Sequence, residues 1–291
     1  MNSSVFSKAN LIRCLVSIFV LLAIVWLVRR SRAQDVSFDG KQLSEWVVLL
    51  NKNGAQTNEA ANAVQSLGVR CIPFLLKEVT LREPYSEKFE RRIFDKSRSL
   101  LKYIERDRRR VAAVQAFKIL GDEAKTAIEP LERALDDPET ARRAAQALAA
   151  IGQSGVETLT TTAHRTNAWV RIVSIDALAG INLSTVDAIN CYSNVLKDPN
   201  FNVKQSALGA LSSVTNNFGQ ACRVVGEQLN VKTVPEKVYV LRTLERLKCT
   251  NEVYLLKIKA LSNDSNDLVR EEAHKVLSAY EKAGQSGQLQ P

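Results

Sequence analysis

Four leucines recur at intervals of 33 residues, and the residues around them recur as well; they are Leu178, Leu211, Leu244 and Leu277. Each has a small or apolar residue four positions before it and an apolar residue or tyrosine three positions after it. Positions i, i+4 and i+7 share one face of an α-helix, so each copy predicts a helix with one core-facing stripe. A period of this length is typical of stacked helical hairpins and not of a globular domain.

The same pattern continues towards the N-terminus with Leu148, Phe117 and Val64 at the leucine position, so we predict seven hairpins. Their second helices are predicted near Glu59–Leu67, Arg109–Leu120, Thr140–Ile151, Ala168–Ile181, Asn202–Val214, Pro235–Leu247 and Leu268–Tyr280. Their first helices are predicted at Leu43–Leu50, Ile72–Thr80, Ile128–Leu135, Val156–Thr162, Val186–Leu196, Ala221–Leu229 and Val253–Leu261. Because no such hairpin buries its apolar face alone, residues 34–282 are predicted to form an all-α, α–α superhelix.

Turn residues separate the predicted helices. Glycines are expected to end helices where a left-handed residue is needed, at Gly68, Gly121 and Gly152. Asp137 and Asp198 each precede a proline and are expected to cap the helices that follow. Before the first helix, Asp39 is the predicted N-cap, with Gln42 placed to hydrogen-bond back to it.

Three segments carry a family resemblance: DDPETARRAAQALAAIG (Asp136–Gly152), NAWVRIVSIDALAGI (Asn167–Ile181) and NDLVREEAHKVLSAY (Asn266–Tyr280). They resemble the second half of a HEAT repeat of the short bacterial type found in phycobilisome-lyase-like proteins, and the resemblance covers about residues 40–282. It departs from the pattern at Ala141, where an arginine is usual, and over the degenerate copy at Pro235–Leu247. A resemblance of this kind implies an α-solenoid that offers a surface for binding.

An apolar run at residues 11–28 precedes the repeats, and from Cys14 to Val28 it carries no charge. Eighteen helical residues rise about 27 Å, close to the thickness of a bilayer's hydrocarbon core. Residues 1–33 are therefore predicted to be a single-pass membrane anchor; the alternative is a cleaved signal peptide, with Ser31 and Ala33 before the cut. Three arginines directly after the run favour the anchor, while bases on both sides leave its orientation open. An anchor followed by FDGKQLSEW (Phe38–Trp46) is similar to membrane-anchored bacterial HEAT-repeat proteins.

The net charge of +9 is concentrated in two places. Residues 1–33 hold five bases and no acid, and residues 87–110 hold ten bases and five acids. The second cluster belongs to an insertion at about residues 82–108 that lengthens one repeat, and Pro84–Arg110 is predicted to be one long helix. Its candidate contact residues for a partner or for lipid are Arg91, Arg98, Lys102, Arg106 and Arg109. Because acids are interleaved, a solvated face is favoured; the alternatives are contact with anionic lipid, with an acidic protein or, last, with nucleic acid.

A second set of bases recurs with the repeat, seven positions before most of the leucines or their equivalents. This basic ladder consists of Arg110, Arg171, Lys204, Lys237 and Arg270. The favoured hypothesis is structural: each base pairs with acids or carbonyls in the turns, where Asp137, Asp198, Asp264 and Asp267 are available. The alternative is a row of cations on the inner face that binds an acidic partner.

No constellation of residues predicts catalysis, a metal or a cofactor. Only two histidines occur, His164 and His274, and none of the common catalytic or nucleotide-binding motifs is present. The five cysteines show no ligand spacing, and the four outside the apolar run are expected to be buried free thiols. Residues 283–291 are polar and are expected to be a disordered tail.

The resulting hypothesis is a non-enzymatic, membrane-tethered scaffold that binds another protein through its helical repeats. A HEAT-like nucleic-acid-binding protein is the first alternative, but a balance of 35 bases against 31 acids outside residues 1–33 argues against it. The second alternative is an enzyme resembling the bilin lyases, which act on cysteine-linked chromophores, and only the fold supports it.

Overall fold

The computed structural model describes residues 36–52, 54–82, 96–181, 186–249 and 251–285. The predicted anchor at residues 11–28, residues 83–95 of the predicted insertion and residues 286–291 of the predicted tail lie outside the described residues. Among the helices that are described, none has both the length and the apolar character of a membrane span.

The described residues form seven consecutive helical hairpins. Their first helices are α1 (Leu43–Leu49), α3 (Ile72–Thr80), α5 (Ile128–Ala134), α7 (Gln153–Thr162), α9 (Val186–Val195), α11 (Phe218–Glu227) and α13 (Glu252–Leu261). Their second helices are α2 (Ala55–Leu67), α4 (Lys96–Leu120), α6 (Ala141–Ile151), α8 (Ala168–Gly180), α10 (Phe201–Ser212), α12 (Val234–Leu247) and α14 (Asp267–Gln285). The predicted all-α superhelix of stacked hairpins is confirmed, with one short two-stranded ribbon before α1.

A single apolar seam runs through the stack, and the repeated stripe of the second helices forms it. Leu148, Leu178, Leu211 and Leu244 have no exposed surface. The small residues four positions before them are buried too, as at Ala207, which lets neighbouring helices approach closely. Each second helix packs along the second helices before and after it, and these contacts are more extensive than those between successive first helices. The second helices therefore form the inner, more tightly curved side of the stack.

Two glycines lie in contacts between helices that are too close for a side chain. A Cβ atom at Gly155 in α7 would lie 1.8 Å from the carbonyl oxygen of Leu148 in α6. At Gly226 in α11, a Cβ atom would lie 2.4 Å from the ring of Tyr254 in the next hairpin. Neither contact leaves room for a side chain, so these glycines fix how closely α6 and α7, and then α11 and α13, can pack.

The helix ends differ in part from the predictions. Gly68, Gly121 and Gly152 have positive φ angles of 54°, 53° and 105°, as expected of residues that end helices. The helices α8, α10 and α13, however, begin at asparagine N-caps, whose side chains accept from the backbone N–H two residues on; they are Asn167, Asn200 and Asn251. The prediction that Asp137 and Asp198 cap the helices that follow them was wrong. The N-cap of α6 is Thr140, and the carboxylate of Asp198 accepts from the N–H of Asn200 and so shapes the turn before the cap of α10.

The predicted cap of the first helix was also wrong. Asp39 and Gly40 both have positive φ angles and turn the chain between the strands β1 (Ser37–Phe38) and β2 (Lys41–Gln42). Gln42 is the N-cap of α1, and its backbone N–H donates to the Glu45 carboxylate over 3.2 Å. Asp-Gly is a favoured sequence for a two-residue hairpin turn, and that turn chemistry overrides the capping pattern.

The cysteine prediction was half wrong. Cys71 and Cys191 are buried free thiols, as expected, whereas Cys222 and Cys249 form a disulfide. Cys222 lies in α11 and Cys249 follows the end of α12, and the antiparallel hairpin brings their Cα atoms to 5.6 Å. The bond closes a loop with a sequence separation of 27 residues within one repeat.

The long helix α4 joins the insertion to the repeat without a break. It has 25 residues, from Lys96 to Leu120. Two helices were predicted here, Pro84–Arg110 and Arg109–Leu120. The described part of the first is continuous with the second, so they form one helix. Its C-terminal half supplies Phe117 to the core seam, where that side chain has no exposed surface.

Candidate functional site

Three bases of the ladder link one repeat to the next from the start of a second helix: Arg171, Lys204 and Lys237. Arg171 in α8 is the most extensively bonded member. Its Nε and Nη2 atoms lie 2.6 and 2.9 Å from the two carboxylate oxygens of Asp198, and its Nη1 donates to the carbonyls of Arg165 and Thr166 over 2.8 and 2.7 Å. Partial burial alone would raise the pKa of Asp198, but the hydrogen bonds from Arg171 and Asn200 hold that pKa below its usual value.

Two lysines repeat this arrangement further along the stack. Lys204 in α10 lies 2.6 Å from Glu236 in α12, and Lys237 in α12 lies 2.6 Å from Asp264, which precedes α14. The hydrogen bonds from Lys204 and Thr233 lower the pKa of Glu236, and those from Lys237 and the Asn266 backbone lower the pKa of Asp264.

The ends of the ladder bond to nearby turns. Arg110 in α4 is buried, and its Nη2 donates to the carbonyl of Leu81 over 2.7 Å. Leu81 is the residue that follows the end of α3. Arg270 in α14 contacts the carboxylate of Asp267 and donates to the carbonyl of Asp264. Each of the five ladder bases thus bonds to an acid or a carbonyl of the fold, although Lys204 does so inside a helix and not in a turn.

The candidate residues of the insertion are described only in part. Arg91 lies outside the described residues, and of Arg98 and Lys102 only the backbone, in α4, is described. Arg106 is half-buried, while Arg109 is exposed in a groove of about 930 Å³ between α1 and α4. The groove is also lined by Glu45 and Glu105, so its charges are of both signs.

A second groove lies on the inner face, across three consecutive second helices. It has a volume of about 750 Å³, and its walls come from α4, α6 and α8; the lining residues include Val111, Gln115, Lys118, Arg142, Gln146, Ala149, Ala150, Asp176, Ala177, Gly180 and Ile181. None of them belongs to the predicted candidates. The sequence signal that could have identified this groove is the set of alanines and a glycine on the side of these helices that faces away from the apolar seam.

The inner-face surface continues from α8 to α10. A shallower depression of about 550 Å³ lies there, and Asp176 lines both depressions. Trp169, at the start of α8, forms one wall, and Gly209 in α10 leaves open space in the floor, since a Cβ atom there would meet nothing within 4 Å. The two depressions of the inner face therefore adjoin at Asp176, and small residues line part of each.

The described residues contain neither a metal-binding cluster nor an exposed free thiol. No group of three or more histidine, cysteine or acidic side chains that could hold a metal occurs among them. His164 and His274 are both exposed. Burial raises the pKa of the Cys71 thiol to about 12 and that of the Cys191 thiol to about 11, so both remain protonated and unreactive at neutral pH.

Comparison with known proteins gives structural likeness only. No protein-family model and no curated protein matches the chain. An engineered protein solved by a structural genomics consortium overlaps 82% of this chain and 96% of its own, with 16% identity and a TM-score of 0.40. A designed armadillo repeat protein in complex with the peptide (KR)4 overlaps 82% of this chain and all of its own, with 15% identity and a TM-score of 0.40.

A third similar structure is the complex of CpcE and CpcF of phycocyanin lyase from Nostoc sp. PCC7120. The alignment with it covers 85% of this chain and 97% of the chain in that structure, with 16% sequence identity and a TM-score of 0.31. Likeness at these levels carries no argument about activity or partners. The assignment to the stacked-hairpin class rests on the helices and on their packing.

Proposed function

We propose that this chain is a non-enzymatic scaffold that binds another protein on the inner face of its helical stack. The observation that carries the proposal is the pair of depressions between α4 and α10, which adjoin at Asp176 and are lined in part by small residues that leave room for a partner. Three of the ladder bases, Arg171, Lys204 and Lys237, are paired with carboxylates of the fold, and the described free thiols are buried and protonated. The shape of the surface is therefore the proposed basis of binding.

Photo-crosslinking tests this proposal. A photoreactive amino acid replaces Gln146 on the inner face or, as the matched control, Asn194, which is exposed on the first helix α9. We expect the full chain in its native cells to crosslink to one defined protein from position 146 and not from position 194. Crosslinking from position 194 alone, or from neither position, would refute an inner-face scaffold.

The proposal includes a membrane tether, and its support is the uncharged apolar run within residues 11–28. Placing lysine at Leu21 and at Ile24 puts two charges near the middle of the run, each of which disfavours insertion by about 3 kcal/mol. We expect the parent chain to stay with membranes during alkaline extraction and this variant to be released. Release of both chains would remove the tether from the proposal.

The repeats are proposed to lie on an oxidising side of that membrane. The support is the disulfide between Cys222 and Cys249, because such bonds persist in secreted or periplasmic compartments and are rare in the cytosol. The test is denaturation of whole cells under non-reducing conditions in the presence of a thiol reagent, so that every free thiol is labelled even if it is buried in the fold. Protection of both cysteines supports this placement, and full labelling of both contradicts it.

A further inference from the structure

The groove across α4, α6 and α8 owes its depth to small side chains. Ala149, Ala150, Ala177 and Gly180 all line it, and a Cβ atom at Gly180 would meet nothing within 4 Å. Val111 on the α4 side is 48% exposed. An apolar floor that is open to solvent in this way favours aliphatic side chains from a partner.

The charges of the groove are unbalanced. Lys118 projects from α4 and Arg142 from α6, and Asp176 in α8 is the one carboxylate among the described lining residues. Arg142 lies 3.8 Å from Asp176, with side-chain exposures of 59% and 37%, so this pair is loose and solvated. Lys118 forms no ion pair with any described residue, which leaves one cation in excess for a carboxylate of the partner.

From the usual distance between packed helices, we expect the furrows of the groove to suit a helix. Packed helices lie about 8–10 Å apart, so successive furrows between α4, α6 and α8 repeat at that distance. Side chains at i and i+7 of an α-helix are about 10.5 Å apart, whereas alternate side chains of an extended chain are about 6.7 Å apart. A helix also satisfies its own backbone hydrogen bonds and can lie on an apolar floor.

We propose that this groove binds an amphipathic helix of a partner protein, oriented across α4, α6 and α8. Aliphatic side chains at i and i+7 enter the two furrows, and carboxylates on the flank of the helix face Lys118 and Arg142. This rests on the proposed scaffold function and adds the chemistry of the segment that is recognised.

The probe is a fluorescent peptide of about 18 residues that forms a helix, with leucine at i, i+7 and i+14 and with glutamates on both flanks. Its fluorescence anisotropy is measured with the full chain in nanodiscs of zwitterionic lipid, and empty nanodiscs are the blank. We expect saturable binding of this acidic peptide, and binding weaker by roughly tenfold for a peptide with lysines in place of the glutamates. A peptide with a central proline is expected to lose binding to a similar extent, because proline breaks the helix.

Variants locate the site. Gly180→Leu places a side chain in the groove, where its Cβ atom has open space. Gly219→Leu is the matched control, because Gly219 is exposed in the first helix α11 and a Cβ atom there also has open space. We expect Gly180→Leu to weaken binding of the acidic peptide by at least about tenfold and Gly219→Leu to leave it unchanged, with parental melting temperatures for both. Should Gly180→Leu fail to fold, the double variant Lys118→Glu with Arg142→Glu serves instead, and it should favour the basic peptide.

Three results overturn the inference: equal binding to the parent and to Gly180→Leu, equal binding of the acidic and basic peptides, or undiminished binding of the proline peptide. The last of these would mean that the groove takes an extended segment. Crosslinking from position 146 separates this failure from that of the scaffold. If the natural partner crosslinks there while the acidic peptide does not bind, the scaffold function stands and the amphipathic helix is rejected.

Discussion

Arg171→Met tests whether the ladder holds neighbouring repeats together. The guanidinium of Arg171 is bonded to both oxygens of Asp198 and to two carbonyls, and the side chains of Arg171 and Asp198 are only 12% and 10% exposed. Methionine keeps the aliphatic length but leaves a largely buried carboxylate without its cation. Removing one partner of such a pair costs about 3 kcal/mol, and we expect a loss of that size in the free energy of unfolding.

The assay is urea denaturation followed by circular dichroism, and the matched control is Arg142→Met. That arginine also pairs across repeats, with Asp176, but at 3.8 Å and with both side chains well exposed, so its removal should cost less than about 0.5 kcal/mol. A double-mutant cycle with Asp198→Asn should give a coupling energy of about 2 kcal/mol. Equal losses in the free energy of unfolding for Arg171→Met and Arg142→Met would show that burial of the Arg171–Asp198 pair adds no stability. That result would refute the prediction.

Three further predictions concern the disulfide, a glycine and acid. Replacing both Cys222 and Cys249 with serine should lower the free energy of unfolding by about 3 kcal/mol, and adding a reductant to the parent during urea denaturation should reproduce that loss; no change in either case would contradict it. Gly155→Ala should cost at least about 2 kcal/mol in the same assay, because its Cβ would overlap the Leu148 carbonyl, whereas Gly209→Ala has open space and should cost nothing. The ladder carboxylates have lowered pKa values in the folded state, so their stabilisation is present above about pH 4 and is lost as pH falls further; a melting temperature that rises below pH 4 would be the opposite result.

The helices could be predicted from the sequence because a core stripe and a helical period are local properties. The second helix predicted at Pro235–Leu247 begins one residue earlier, at Val234, although its repeat is degenerate. Cap residues were harder to predict, because aspartate and asparagine both suit the start of a helix. Which of them serves as the cap depends on the exact turn, as in the sequence from Asp198 to Asn200.

Contacts between repeats were predictable in kind but not in detail. The ladder bases were expected to pair at the turns, yet Lys204 pairs with Glu236 inside the next helix, and Asp137 pairs with Arg82 instead of a ladder base. The disulfide was missed because its cysteines are 27 positions apart and meet only once α11 and α12 are antiparallel. The inner-face groove was missed for a related reason. Which face of each helix lies on the inner side depends on how the hairpins stack, and the pattern within one helix does not show this.

The uninterrupted helix α4 has a mechanical consequence. Its 25 residues form a rod of about 37 Å, one end of which belongs to the basic insertion while the other carries Val111 and Lys118 in the wall of the groove. Because a helix resists bending, we expect a displacement of its Lys96 end to reach the wall of the groove at the opposite end. The position of the Lys96 end is therefore expected to depend on whether the groove is occupied.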